Sequence, residues 1–184
     1  MGAQQKRARD PGARRRALAE AALEVIAEVG IGRTTHRAVA LRAGLPLGAT
    51  TYYFPTLDDL IGAALQHAAE ELRVELDGWA ERLGGADDVP AELTGLVQGY
   101  LGDRRRVQVE YELYVAAARD PRLRPLARGW LDGMGRMLEP YAGGAAGDVV
   151  ALVDGVILQA MVTGSDVDGD RLTAAVRRLI ADEA

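Results

Sequence analysis

Apolar residues recur at helical spacing along almost the whole chain. Between 14 and 29, Leu18, Ala21, Ala22, Val25, Ile26 and Val29 share one face, and Gly30 ends the segment. Thr34 or Thr35 is placed to cap a second helix carrying Ala38, Val39, Leu41 and Ala43, which Gly44 breaks. A third, short helix is expected over 47–53. Pro55 closes it, because the residue before a proline avoids helical geometry. Thr56, with Asp59 three positions on, has the signature of a capping box for a long helix over 57–83. Leu60, Ala64, Leu72, Leu76 and Trp79 lie along that helix. A Gly84-Gly85 loop follows, then a helix from Pro90 to about 102.

Residues 104–119 are ambiguous. Val107, Val109, Tyr111, Leu113 and Val115 alternate like a strand, yet Val107, Tyr111, Tyr114, Val115 and Ala118 form a helical stripe. No second strand pattern exists to satisfy such a backbone, so a helix is expected. Asp120 and Pro121 read as cap and first position of a helix reaching Tyr141. "AGGAAG" reads as a loop, and the last helices are expected over 148–163 and 169–182. The fold class is all-α, with about nine helices and no internal repeat.

Composition narrows the functions available. The chain has 184 residues and no cysteine, which excludes disulfides and thiolate chemistry. No run of about 18 apolar residues is present, and the basic first 16 residues lack the apolar segment of a signal peptide. A cytoplasmic location and no membrane partner are expected. Net charge is −5 but uneven: residues 1–53 hold nine basic against four acidic side chains, so +5 at the head faces −10 on the body. That division suits a protein whose head meets phosphates, and equally a solvated basic tail beside an ordinary domain.

The three N-terminal helices have helix-turn-helix spacing. Counting from His36, a small residue is wanted at Ala40 and a glycine at Gly44, with Val39, Ala43, Leu45, Thr50 and Tyr53 locking the pair. Thr50 is the poor fit. With these residues in place, "TTHRAVALRAGLPLGATTYYFPTLDDLI" resembles the DNA-binding region of the TetR family of bacterial transcriptional regulators over roughly residues 12–65. The resemblance implies a helix-turn-helix domain at 12–56, a linker helix at 57–83 and a helical ligand-binding and dimerisation domain at 84–184. It also implies roles by position. Thr34 and Thr35 would hold phosphate at a helix start. Pro46, Leu47, Gly48 and Thr51 would meet base edges. Tyr52 and Tyr53 would reach phosphate, and Phe54 would anchor the short helix inward.

The sequence departs from the family pattern in places. Leu57 stands where a lysine is common, Leu47 where a polar or basic residue is common, and Thr51 where a tyrosine is. No Lys or Arg lies between Arg42 and Arg73, so the recognition helix carries no cation. Base reading would rest on thymine methyls and hydroxyl hydrogen bonds. Phosphate neutralisation would fall to Arg33, Arg37 and Arg42, or to an arm of "KRAR" and "RRR".

Residues 148–163 are apolar nearly all round, so every side needs cover. Either a second subunit or the chain's own core supplies it. The family resemblance favours a homodimer through Val149, Leu152, Val153, Val156, Ile157, Leu172, Val176 and Leu179, reading a pseudo-palindromic double-stranded operator. It also implies a small-molecule site among the middle helices, with Tyr100, Glu110, Tyr111, Tyr114, Trp130, Met134 and Met161 as candidate lining. Either Glu110 or Glu112 is placed to face that site and favour a cationic or hydroxylated ligand. The expected function is a repressor released by ligand. The alternative is a helical protein-interaction module, or a ligand-independent regulator, with the same motif.

Catalysis has little to work with. His36 and His67 are the two histidines and Ser165 the one serine, with no G-x-S-x-G around it. "DVDGD" at 166–170 has glycine at the fourth rather than the sixth position of a calcium loop, and Arg177 where the bidentate acid belongs. No catalytic residue, metal or cofactor is expected.

Overall fold

The computed structural model describes residues 10–181, and among these there are helices and turns but no strand. Helix α1 spans Pro11–Val29, α2 His36–Ala43, α3 Leu47–Tyr53, α4 Leu57–Gly84 and α5 Val89–Tyr100. Then come α6 at Arg104–Arg119, α7 at Arg124–Ala142, α8 at Ala146–Thr163 and α9 at Gly169–Ala181. Short 3-10 turns occupy Ile31–Arg33, Pro121–Leu123 and Gly143–Ala145.

Local chemistry sets the boundaries. Asp10 accepts a hydrogen bond from the Gly12 N–H at 2.8 Å and Pro11 takes the first position, so α1 begins before the first apolar repeat. Arg14, Arg15 and Arg16 therefore belong to a helix rather than to a basic arm, and "KRAR" lies outside the described residues. Thr35, not Thr34, caps α2 by accepting the Ala38 N–H at 3.1 Å. Gly44 ends α2 in the left-handed region, at φ 63° and ψ 29°, where a side chain is strained. The reciprocal Thr56–Asp59 box opens α4, both bonds being 3.1 Å. The segment at 104–119 is helical throughout. In place of a loop at "AGGAAG", Gly143 ends α7 at φ 49° and a 3-10 turn leads straight into α8.

Two apolar cores result. One joins α1, α2, Phe54 and the first half of α4 to Val109, Leu113 and Ala117 of α6. The other joins the second half of α4 to α5, α7, α8 and α9. Helix α4 runs through both, and α6 contributes to both, so the N-terminal and C-terminal helices share two rigid connections. The stretch from Pro121 to Thr163 is apolar enough in part to cross a membrane by composition alone. In the fold its most apolar helix, α8, buries Val149, Val153 and Ile157 against the second core.

Candidate functional site

The first candidate surface is built on α2 and α3. Thr50 is fully buried in the angle between them and its hydroxyl donates to the Leu47 carbonyl at 2.7 Å. That satisfied bond explains how a threonine serves at an apolar locking position. Phe54 is fully buried, with the Arg15 guanidinium 4.8 Å above its ring. Pro46, Leu47, Gly48, Thr51 and Tyr52 remain exposed, Tyr52 at 79%. Tyr53 is half-buried and packs edge-on to Tyr52 at 5.1 Å. The row of three aromatics thus divides: Phe54 inward, Tyr52 outward and Tyr53 bracing it. Leu41, expected on the apolar face of α2, is 84% exposed instead.

The cations sort themselves by partner. Arg42 is clamped by Glu24 at 2.9 Å and Glu28 at 2.5 Å, which removes it from the phosphate-facing candidates. Arg33 donates to the Val29 carbonyl at 2.9 Å. Arg37 is exposed and makes no ion pair among the described residues. Thr34 is buried and its hydroxyl donates to the Gly30 carbonyl at 3.0 Å. Thr35 is exposed, and its oxygen already accepts the α2 cap bond while its O–H stays available.

The second site lies where α5, α6, α7 and α8 meet. Glu110 is 2% exposed, and the Tyr100 hydroxyl donates to it at 2.5 Å. The Tyr114 hydroxyl and Trp130 Nε1 are buried beside the same carboxyl without a hydrogen bond of regular geometry. Tyr100 stacks with Trp130 at 6.4 Å and meets Trp79 edge-on at 5.8 Å, while Tyr111 meets Tyr114 at 5.6 Å. The Tyr111 hydroxyl donates to the Asp154 carbonyl at 2.7 Å, tying α6 to α8. Burial pushes the Glu110 carboxyl up to about 7, opposed by the Tyr100 bond and reinforced by the Asp154 charge. Burial likewise raises Asp154 to about 6 and pushes the three tyrosines well above their ordinary range.

A groove of about 850 Å³ opens beside this cluster between α1, α6 and α8, lined by Tyr111, Tyr114, Asp154, Leu158 and Met161 among others. Tyr100, Trp130 and Glu110 stand behind the two groove tyrosines, and Met134 is packed into the core at 1% exposure. Sequence reasoning missed Asp154. It sits within an apolar run, and its neighbours on α6 lie more than forty positions away. Glu112 lines the same groove at its α1 end, where its carboxylate accepts the Ile31 N–H at 3.4 Å and crowds Gly30, whose φ is 77°. Helix α6 therefore carries the buried acid on one side and a bond to the N-terminal helices on the other. Arg105–Glu28 at 3.6 Å and Arg122–Asp58 at 3.4 Å add two ion pairs to that junction.

The residues expected at a dimer contact divide by burial. Val149, Val153, Ile157, Leu172 and Val176 are all buried within the chain itself, and Leu152, Val156 and Leu179 pack partly against the same core. An all-round apolar sequence does not say which side its own chain covers. The outward side of α8 is a different strip, Ala151, Gly155, Leu158 at 42% and Val162 at 74% exposure.

Comparison with known proteins bears on both sites. Residues 18–64 match the family model described as bacterial regulatory proteins, tetR family. Residues 84–182 match the model for a tetracyclin repressor-like C-terminal domain. The chain is 26% identical over 171 residues to the HTH-type transcriptional regulator BetI of Stenotrophomonas maltophilia, covering 86% of each. It is similar to the solved structure of a TetR family member from Streptomyces coelicolor, with a TM-score of 0.80, 39% identity, and 91% and 98% of the two chains covered. It is also similar to the multidrug binding protein EbrR complexed with ethidium, at a TM-score of 0.75 and 39% identity, covering 91% and 98%.

Proposed function

The chain belongs to the TetR family and is a DNA-binding transcriptional regulator, and we propose that it is a repressor released from its operator by a cationic aromatic molecule. The observation that carries the ligand class is Glu110, a carboxyl sealed among Tyr100, Tyr114 and Trp130 with no cation paired to it among the described residues. Aromatic faces attract cations, and a buried acid without a partner favours one. EbrR, a structural relative, is described in complex with ethidium, proflavin and malachite green.

The DNA-reading residues of this proposal are Thr35, Arg37, Pro46, Leu47, Gly48, Thr51, Tyr52 and Tyr53. A recognition helix without a cation reads bases through Leu47, the threonine methyls and hydroxyls, while Arg37 and backbone N–H groups meet phosphate. Two copies paired along the Ala151–Val162 strip of α8 would set two such heads on one pseudo-palindrome. The apolar strip supports that pairing, and the small residues Ala151 and Gly155 allow close approach of two helices.

Release follows if the ligand favours a conformer whose heads no longer fit the two half-sites. Helix α6 is suited to carry the change, since Glu110 and Tyr114 face the site and Glu112 holds Ile31 of the N-terminal helices. No catalytic residue set is assembled among the described residues, and the reading is of a non-enzymatic, cytoplasmic regulator. Fluorescence anisotropy on operator DNA at two salt concentrations tests the DNA half of the reading. Affinity falling steeply with salt is expected. An affinity indifferent to salt favours the protein-interaction alternative and would overturn this one.

A further inference from the structure

Resting on the reading that the buried site takes a cation, we propose that ligand capture is a proton exchange: as the cation enters, Glu110 gives its proton to solvent and becomes the ligand's counter-ion, with Asp154 as the second acid of the site.

The geometry leaves Glu110 without a charge partner among the described residues. Glu110 is 2% exposed and its one regular hydrogen bond is from the Tyr100 hydroxyl. Around the carboxyl, from α5 comes Tyr100, from α7 the Trp130 indole, from α8 Asp154, and from α6 itself Tyr111 and Tyr114. Glu28, Arg33 and Glu112 line the α1 end of the adjoining groove. Arg106 lies over the Tyr100 ring at 5.8 Å and is already paired with Glu75 of α4. Among the described residues no basic side chain is paired with the carboxyl. A buried acid in such surroundings rests neutral, because ionising it there without a partner costs more than keeping the proton.

Two further atoms point to an absent guest. Trp130 Nε1 and Asp154 Oδ1 are both buried and lack a hydrogen-bond partner among the described residues, and Trp130 is only 5% exposed. Unsatisfied buried polar atoms are uncommon and call for a cause. Asp154 lines the groove through which a guest would enter, alongside Tyr111 and Tyr114. A flat cation passing between the tyrosines would meet Asp154 first and Glu110 second. Its charge stabilises each carboxylate, so each proton still present on arrival leaves to solvent, and the charge of the site changes by the ligand's charge less the protons released.

The measurement is isothermal titration of ethidium, a permanent cation, into the full chain without DNA. It is run at pH 6 in two buffers of different ionisation enthalpy, and repeated at pH 9. The two acids together predict about one to two protons released per ethidium at pH 6 and none at pH 9. The dissociation constant should fall about ten- to hundredfold per pH unit gained around pH 6 and level off above about 7. Glu110→Gln should bind more weakly, release fewer protons and lose most of the pH dependence. Asp154→Asn should retain a release of about one proton. In the ligand-free protein, the infrared band of a protonated carboxyl should persist at pH 6 and lose most of its intensity in Glu110→Gln, the remainder belonging to Asp154, which checks the resting state without any ligand. Ethidium binding with no proton released at pH 6 would overturn the exchange and leave the cation reading standing. Failure of ethidium to bind at either pH, with the infrared band present, would overturn the cation reading and the exchange with it.

Discussion

Replacing Glu110 by glutamine should change how stability depends on pH, and the size of the change follows from burial. In the unfolded chain this carboxyl titrates near its ordinary value of 4.5, whereas in the fold burial holds it up to about 7. Between those values the folded state keeps a proton that the unfolded state has released. The unfolded state therefore binds fewer protons there, and stability falls as pH rises through that window. Below about 4.5 both states are protonated and there is no loss; above about 7 both are ionised and the loss is complete. At 1.36 kcal/mol per pH unit the full loss is on the order of 3 kcal/mol. Glutamine has the same shape and no charge to bury, so Glu110→Gln should lack this loss. Urea denaturation at pH 5 and pH 8, followed by far-ultraviolet circular dichroism, compares the two proteins. The stability gap between variant and parent should shift in favour of the variant by roughly 2–3 kcal/mol from pH 5 to pH 8. A gap that stays constant with pH would refute the reasoning, because it would mean that Glu110 is already ionised and solvated in the fold.

Three other predictions rest on separate observations. Arg37→Ala should lower the salt slope of operator binding by about one, whereas Arg42→Ala should leave that slope unchanged, since Arg42 is held by Glu24 and Glu28; anisotropy titrations across salt check both. Gly44→Ala places a side chain at φ 63° and should cost about 1–2 kcal/mol, read as a fall in thermal midpoint together with weaker DNA binding. Val162→Arg, on the outward strip of α8 and outside the groove, should leave the helical content intact and shift sedimentation toward the monomer.

The parts of this fold that were legible in the sequence are those governed by residues close in the chain. The Gly44 turn, the Thr56–Asp59 box and the Pro55 stop each act over three or four positions, so the helix-turn-helix and the start of α4 could be read directly. The α1 start was displaced because the periodic apolar signal begins at Leu18, while the cap at Asp10 lies more than a turn ahead of it. Thr34 and Thr35 offer the same hydroxyl in sequence, and only the backbone decides that one caps α2 while the other turns inward to Gly30. Arg42 looked like a phosphate ligand until Glu24 and Glu28 of α1 were brought beside it. The buried cluster around Glu110 was partly legible. The aromatic residues of α5, α6 and α7 were visible, but the choice between Glu110 and Glu112 depends on which side of α6 meets α7 and α8. Asp154 and the outward side of α8 were hidden for the same reason: burial is set by neighbours distant in the chain.

The central claim, that α2 and α3 read DNA sequence, is tested most directly by selecting bound fragments from a random-sequence DNA pool with the purified full chain. The account predicts enrichment of a two-fold-symmetric sequence whose binding weakens steeply with salt and is lost on mutation of either half-site. A pool that stays random through successive rounds at low salt would contradict it.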